Sequence, residues 1–554
     1  MMTQQNTRIL KRPYGFRLDL WSIGALLVAA IVLTPMLAVL WIAFHPTENI
    51  WPHLMATVLP RYFATTLRLM LGVGVLTAAM GTGAAWLVVM FRFPGSRIMD
   101  YALLFPLAIP AYVGAYALVD FLDYAGPLQI ALRSTFGWTS ARDYWFPEIH
   151  SEPTAIVVLS AALYPYVYLL TRSALREQSG ASYEVARSLG LGPFGLFWRL
   201  GLPLIRPAIA AGVALAMMET VADFGTVATF GVQTLTTGVF STWLNGGNAG
   251  GAAQIAGVVL ALILVLLSVE YISRRNARFH RQSRASRPVS PTQLHGVKAL
   301  AALGLCLIPF AMGFLLPVAV MMGHAIAKPQ VWLAPGLAAA ALNTAVVGGI
   351  AAILTVSAAL FLVYGVRLAG RRLARLVLPV TTLGYAAPGA VLAVGLLVPL
   401  AALDHRLADG ILAVTGYDPG LLLTGTAAAI VLAYIVRFFG VAQGAVDTAF
   451  GRISPSLPMA ARSLGRGATG TLRDVYLPLM RGSIASALLV VFVDCVKELP
   501  ATLLLRPFNF NTLSTRVYEL ASLERIGEAA PAALVVVAMG LAAVALLARA
   551  TKNS

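Results

Sequence analysis

Long apolar runs separated by short polar stretches repeat along the whole chain, and each run is close to the roughly 20 residues an α-helix needs to cross a bilayer. The pattern predicts spans near 20–44, 64–90, 99–119, 154–171, 207–230 and 252–272, then 298–325, 340–365, 374–400, 421–441, 483–505 and 529–549. The period-2 alternation of a membrane β-barrel is absent. The expected fold is therefore all-α, a polytopic membrane helical bundle of about 12 transmembrane helices, since only helices and closed barrels satisfy their backbones in lipid.

Composition agrees with this reading. Hydrophobic residues make up 59% of the 554 and charged residues 11%, whereas soluble domains carry about 25% charged residues. The formal charge of +17 raises the question of nucleic acid, and its placement answers it. With the N-terminus placed inside, about 30 of the 40 Lys and Arg fall on the cytoplasmic side and about nine on the other, which is the positive-inside bias. Asp120, Asp123, Asp143, Glu148 and Glu152 share one outer loop. The expectation is a multi-pass protein of the bacterial inner membrane with both termini cytoplasmic. It contacts lipid and binds no nucleic acid, because no basic face is interleaved with aromatics. Arg8, Lys11, Arg12 and Arg17 precede the first run, which is too long for a signal-peptide core and lacks a cleavage site, so an uncleaved first span is expected. Cys306 and Cys495 lie inside spans without metal-ligand spacing and read as small core residues.

The polar stretches carry a repeat. Ala-Arg-Ser-Leu-Gly occurs at Ala186–Gly190 and again at Ala461–Gly465, 275 positions later, and each copy is followed by Leu-Pro, at Leu202-Pro203 and Leu477-Pro478. Arg206 and Arg481, Glu219 and Asp494, and Asp223 and Glu498 keep the same offset. Two pseudo-symmetric halves of six spans follow, 1–272 and 298–554, joined by a basic linker at 273–297 that contains Arg274, Arg275, Arg278, Arg281, Arg284 and Arg287. That linker is too polar to bury a core. An even number of spans per half makes the repeat parallel.

The repeated loops, 172–206 and 442–482, predict a rigid cytoplasmic protrusion. Ser182 is placed to cap a short helix, Gly190 to end it in the left-handed conformation, and Pro203 to open the return to the membrane after a second short helix. Ser456, Gly465 and Pro478 repeat this order. The pattern resembles the EAA loop of binding-protein-dependent ABC importers, which runs Glu-Ala-Ala, three residues, Gly, nine residues, Ile-x-Leu-Pro. The first copy has Glu184-Val185-Ala186, Gly190 and Leu200-Gly201-Leu202-Pro203. The second has Met459-Ala460-Ala461, Gly465 and Val475-Tyr476-Leu477-Pro478, so it lacks the glutamate. In that family the loop docks on an ATP-hydrolysing subunit. The resemblance thus implies a type I importer permease gripped by two copies of an ABC ATPase and served by a periplasmic substrate-binding protein. Arg187 and Arg462 then either pair with acidic groups of the ATPase or anchor the loop.

Glu219 and Asp223, four residues apart, are expected on one helix face, and Asp494 and Glu498 repeat the arrangement beside Lys497. Charge within a membrane normally faces the bundle interior or a water-filled path. The four carboxylates therefore either line a pathway for a cationic solute or pair with Lys497, arginines or helix ends. Met218–Val227, Phe230–Gly238, Val496–Pro507 and Thr515–Ala521 resemble the fused ferric iron permeases over essentially the whole chain; related permeases carry thiamine or phosphonates. No Walker A loop is present, so the chain is expected to be no enzyme and to bind no cofactor itself, ATP being used by its partners. The rival classes are an ion-gradient-driven secondary transporter, against which the paired loops argue, and a membrane-embedded enzyme. The seven His, at 45, 53, 150, 280, 295, 324 and 405, form no pair at ligand spacing.

Overall fold

The computed structural model describes residues 20–275, 290–382, 384 and 387–552. The N-terminal basic residues and Arg278, Arg281, Arg284 and Arg287 of the linker lie outside the described residues. Among the described residues eleven helices are long and apolar enough to cross a membrane, and a bent pair supplies a twelfth span. In the first half the straight spans are Leu20–Phe44, Leu59–Met90, Glu152–Arg176, Pro193–Ala222 and Ala249–Arg275. In the second they are Gly296–Ala327, Leu337–Ala369, Gly389–Thr415, Ala427–Arg452, Ala468–Lys497 and Ile526–Lys552. The all-α membrane bundle expected from the hydropathy pattern is the observed fold.

The third span of each half is not the continuous helix expected at 99–119 and 374–400. In the first half Ser96–Ala108 and Ala111–Phe136 meet at 95°. In the second half Arg371–Thr381 is separate from Gly389–Thr415. The cause is a proline at equivalent points. Pro110 (φ −59°, ψ 137°) and Pro388 (φ −57°, ψ 148°) are extended, each just before a helix, where a missing N–H costs nothing.

The two halves of the sequence share their cores. The first span packs on the eighth and ninth spans, Leu337–Ala369 and Gly389–Thr415. Glycine permits that approach: a Cβ on Gly395 would lie 2.0 Å from the Pro35 carbonyl oxygen, and one on Gly365 would lie 2.5 Å from that of Trp21. The seventh span returns the exchange by packing on the fourth. Each of the two largest buried apolar clusters draws residues from both halves. The end of the linker is tied to the first half: Thr292–Gln293 pairs in parallel with Phe91–Arg92 and the Leu294 N–H donates to the Arg92 carbonyl at 2.8 Å.

Candidate functional site

The fifth and eleventh spans were expected to run on to 230 and 505. They stop instead at Ala222 and Lys497, and the residues that stop them are the repeated carboxylates. Asp223 (φ −68°, ψ 136°) and Glu498 (φ −68°, ψ 120°) take extended backbone. Asp223 then caps the next short helix, Gly225–Thr229: its Oδ1 accepts from the N–H groups of Thr226 at 3.0 Å and Val227 at 3.1 Å, and its Oδ2 from the Thr226 hydroxyl at 2.9 Å. Glu498 Oε1 accepts from Ala501 N–H at 3.0 Å, at the head of Pro500–Leu505. These bonds satisfy donors that a broken helix would otherwise leave bare within the membrane. Asp223 and Glu498 thus stand at the C-caps of the helices that carry Glu219 and Asp494, and both members of each pair line one cavity. One member of each pair sits on the helix and the other on the break.

Matching threonines hold both breaks. The Thr66 hydroxyl accepts from Leu235 N–H at 3.0 Å, and the Thr344 hydroxyl from Leu513 N–H at 2.8 Å. Thr234 with Thr237, and Thr512 with Thr515, form capping boxes on the two following helices. The two breaks thus share one construction, and residues of both line one cavity.

Between them lies a cavity of about 140 Å³ lined by Glu219, Asp223, Asp494 and Glu498, with Arg437 and Lys497. All four carboxylates singled out in the sequence converge here. Arg437, which no repeated motif marks, joins them from the tenth span. Its Nε lies 2.9 Å from Glu498 Oε2, and the two side chains are 11% and 4% exposed. Lys497 Nζ lies 3.1 Å from Asp494 Oδ1 and 3.4 Å from the carbonyl of Leu107, in the bent third span of the first half. The structural alternative therefore holds for these two pairs, within a cavity that still carries four acids against two bases. Both bases come from the second half: at the 275 offset Arg437 faces Ala162, and Lys497 faces Ala222. An arginine inside the apolar run around Tyr434–Phe439 was the available signal, and the repeat hid it because the first copy lacks it. Among the described residues no cluster of three or more His, Cys, Asp or Glu could hold a metal ion. His324 pairs with Asp120 at 2.7 Å, away from the cavity residues.

The loops form the second part of the site. The first helix is Gly180–Ser188, preceded by Ser179, so Ser182 lies inside its first turn rather than at its cap. Gly190 (φ 85°) and Gly465 (φ 83°) end the two loop helices in the left-handed region. Leu191 N–H bonds the Ala186 carbonyl at 3.1 Å, and Arg466 N–H that of Ala461 at 3.0 Å, the bond of a Schellman ending. Pro203 and Pro478 do not begin the return helices. Those helices run continuously from Pro193 and Ala468, with a π-helical turn at Leu196–Gly201 and Leu472–Tyr476 just before each proline. A wider turn accommodates the absent N–H and the ring.

Each loop is fixed from above by an aromatic residue of the second span of its half. Trp86 packs on Phe197 at 5.0 Å and Tyr183 at 6.2 Å. Tyr364 packs on Tyr476 at 5.7 Å and donates to the Ala468 carbonyl at 2.6 Å. Burial pushes the Tyr183 hydroxyl up to about 12, so it stays protonated and donates to Gln178. Arg176 pairs with Asp100 at 2.7 Å beside Arg172. Glu184, Arg187, Arg462 and the apolar Leu189, Met459 and Leu464 face outward, exposed. Each protrusion thus carries a mixed charged and apolar tip on a rigid mount.

Residues 70–278, from the second span through the first loop and the first break, match the family described as "Binding-protein-dependent transport system inner membrane component". The chain is 26% identical over 481 residues to the Fe(3+)-transport system permease protein FbpB 2 of Haemophilus influenzae, covering 86% of this chain and 87% of that protein. The chain is thus similar to the permeases of type I ABC importers. Single-half relatives match it over one half's length. The molybdenum transport system permease protein ModB of Escherichia coli is 28% identical over 34% of this chain and 82% of its own. A probable sulfate transport system permease protein, cysT of Nephroselmis olivacea, is 29% identical over 39% of this chain and 75% of its own. That similarity supports a multi-pass inner-membrane transport subunit, and the family context implies an ABC ATPase and a periplasmic binding protein as partners.

Proposed function

We propose that this permease carries ferric iron inward through the cavity at the paired helix breaks, with Glu219, Asp223, Asp494 and Glu498 lowering the barrier for a cation. The observation that carries this reading is the charge of the cavity, four carboxylates against Arg437 and Lys497. Among the solutes of its relatives, sulfate is an anion and meets net repulsion there, while Fe(3+) is a cation and meets attraction. The absence of an assembled ligand cluster among the described residues suits passage, which requires a site weak enough to release its ion. The binding protein would supply the high-affinity capture.

In the same proposal the loops ending at Gly190 and Gly465 face the cytoplasm, as do both termini, and two ATPase subunits grip them. Glu184, Ala186, Arg187 and Pro203 in the first loop, and Ala461, Arg462 and Pro478 in the second, shape and mount the contacts. Closing the ATPase dimer would draw the loops together and open the cavity outward, a coupling between distant sites.

The test is transport by the permease reconstituted in proteoliposomes with its ATPase and binding protein. ATP-dependent uptake of radiolabelled ferric ion, without uptake of sulfate, is the expected result; sulfate uptake in place of iron would overturn the cargo. Gly190→Pro with Gly465→Pro should abolish stimulated ATP hydrolysis while the permease still inserts. Normal hydrolysis and uptake in that double variant would sink the coupling assignment.

A further inference from the structure

We propose that Lys497 is a tethered counter-cation, which occupies the cavity's cation position at rest, ties the two halves together there, and is displaced by the arriving cargo ion. The inference rests on the cation pathway above and adds what fills that pathway when no cargo is present.

Lys497 ends the eleventh span, on the second half, yet its ammonium lies 3.4 Å from the carbonyl of Leu107 on the first half. It reaches there beside Asp494, 3.1 Å away, in the cavity lined by all four carboxylates. Leu107 belongs to the short Phe105–Ala108 turn just before the 95° bend of the third span. A carbonyl at such a break has no helical partner four residues on, so it is free to accept from a cation. The lysine therefore joins two irregular backbone segments, one from each half, through a single charged group.

Two features suit this group to displacement rather than to permanent structure. Its side chain and that of Asp494 are 21% and 23% exposed, whereas the neighbouring Arg437–Glu498 pair is 11% and 4% exposed. A lysine also presents a single point charge on a flexible four-carbon stem, while an arginine fork is held by its geometry. A multivalent cation gains more from the surrounding carboxylates than one ammonium does, because the Coulomb term scales with the product of charges. Cargo of charge two or more thus replaces the lysine, and a lone Na⁺ or K⁺ has no such advantage. When the ammonium leaves, the contact to Leu107 is lost and the two irregular segments it joined can shift against one another. The first half has alanine at the matching position, Ala222, so the tie exists once in the molecule's pseudo-symmetric frame.

The test uses the full complex of permease, ATPase and binding protein in proteoliposomes, and compares wild type with Lys497→Met and with Asp494→Asn/Lys497→Met. The readout is ATP hydrolysis without loaded binding protein. Loss of the tie should raise this cargo-independent rate about 5-fold or more, the usual lower scale of a coupling between sites, in both variants. The double variant removes both members of the pair and strands neither, so it decides the matter if the single variant fails to assemble. A lysine that serves only to neutralise Asp494 predicts instead that the double variant hydrolyses at the wild-type rate, and that result overturns the proposal. Ferric uptake by the wild-type complex is measured in parallel. A wild type that carries no iron, with hydrolysis still raised in the double variant, removes the iron assignment and keeps the tie. The opposite pattern removes the tie and keeps iron.

Discussion

The two halves build the same helix break in different ways. In the first half, Asp223 caps the following helix with three hydrogen bonds and has no basic residue of its own half at the cavity. In the second half, Glu498 caps its helix with one backbone bond and is bound by Arg437, which also reaches the Ala387 carbonyl at 3.4 Å beside the broken ninth span. The two copies share one backbone solution, and the two cations stand in one copy alone. The lesson is that sequence pseudo-symmetry fixes where the break lies, while the charges that differ between the copies decide how firmly it is held.

Breaking the stronger side should have the largest effect. Arg437→Ala strands the buried Glu498 carboxylate, and removal of one partner from such a pair costs about 3–5 kcal/mol. Asp223→Ala in the first half removes a cap and should cost only about 0.5–2 kcal/mol. Thermal unfolding of the purified variants in detergent measures the gap. Equal shifts in melting temperature would show that the second-half pair adds no firmness. Arg437→Met/Glu498→Gln, which removes both charges, should recover most of the loss.

The threonine pair sharpens the comparison from the other side, because here the halves agree. Thr66→Val and Thr344→Val each leave a buried backbone N–H, of Leu235 or Leu513, without its acceptor, at about 1–3 kcal/mol. The account predicts equal costs within a few tenths of a kcal/mol, read from the same melts. A difference as large as that between Arg437→Ala and Asp223→Ala would mean that the two breaks are not built alike even in their backbones.

The spans and the loop glycines were legible in the sequence for physical reasons. A membrane helix sums apolar signal over some 20 residues, and a left-handed ending admits little besides glycine, so Gly190 and Gly465 stand out. The breaks were not legible. Hydropathy stays high past Asp223 and Glu498, and an acid in an apolar run reads as helix-borne until its backbone is seen to be extended. Nor did the spacing show that the offset between halves changes from 275 at Asp223 and Glu498 to 278 at Thr234 and Thr512. Short loops absorb the difference, and the offset of 278 also relates Thr66 to Thr344, Trp86 to Tyr364 and Pro110 to Pro388. Arg437 was invisible to a search for repeats because its strength lies in being unrepeated. The π turns before Pro203 and Pro478 were missed because proline was read as a helix start; in a rising helix that begins a full two turns earlier, it marks a widened turn instead.

The central claim is that carboxylates from both halves form one cation path. Initial rates of ferric ion uptake by the reconstituted complex, compared for wild type, Glu219→Gln and Asp494→Asn, test it most directly. These two residues are equivalent under the pseudo-twofold and line the same cavity. The account predicts that each substitution lowers uptake while ATPase assembly is retained. Wild-type uptake in both variants would contradict it.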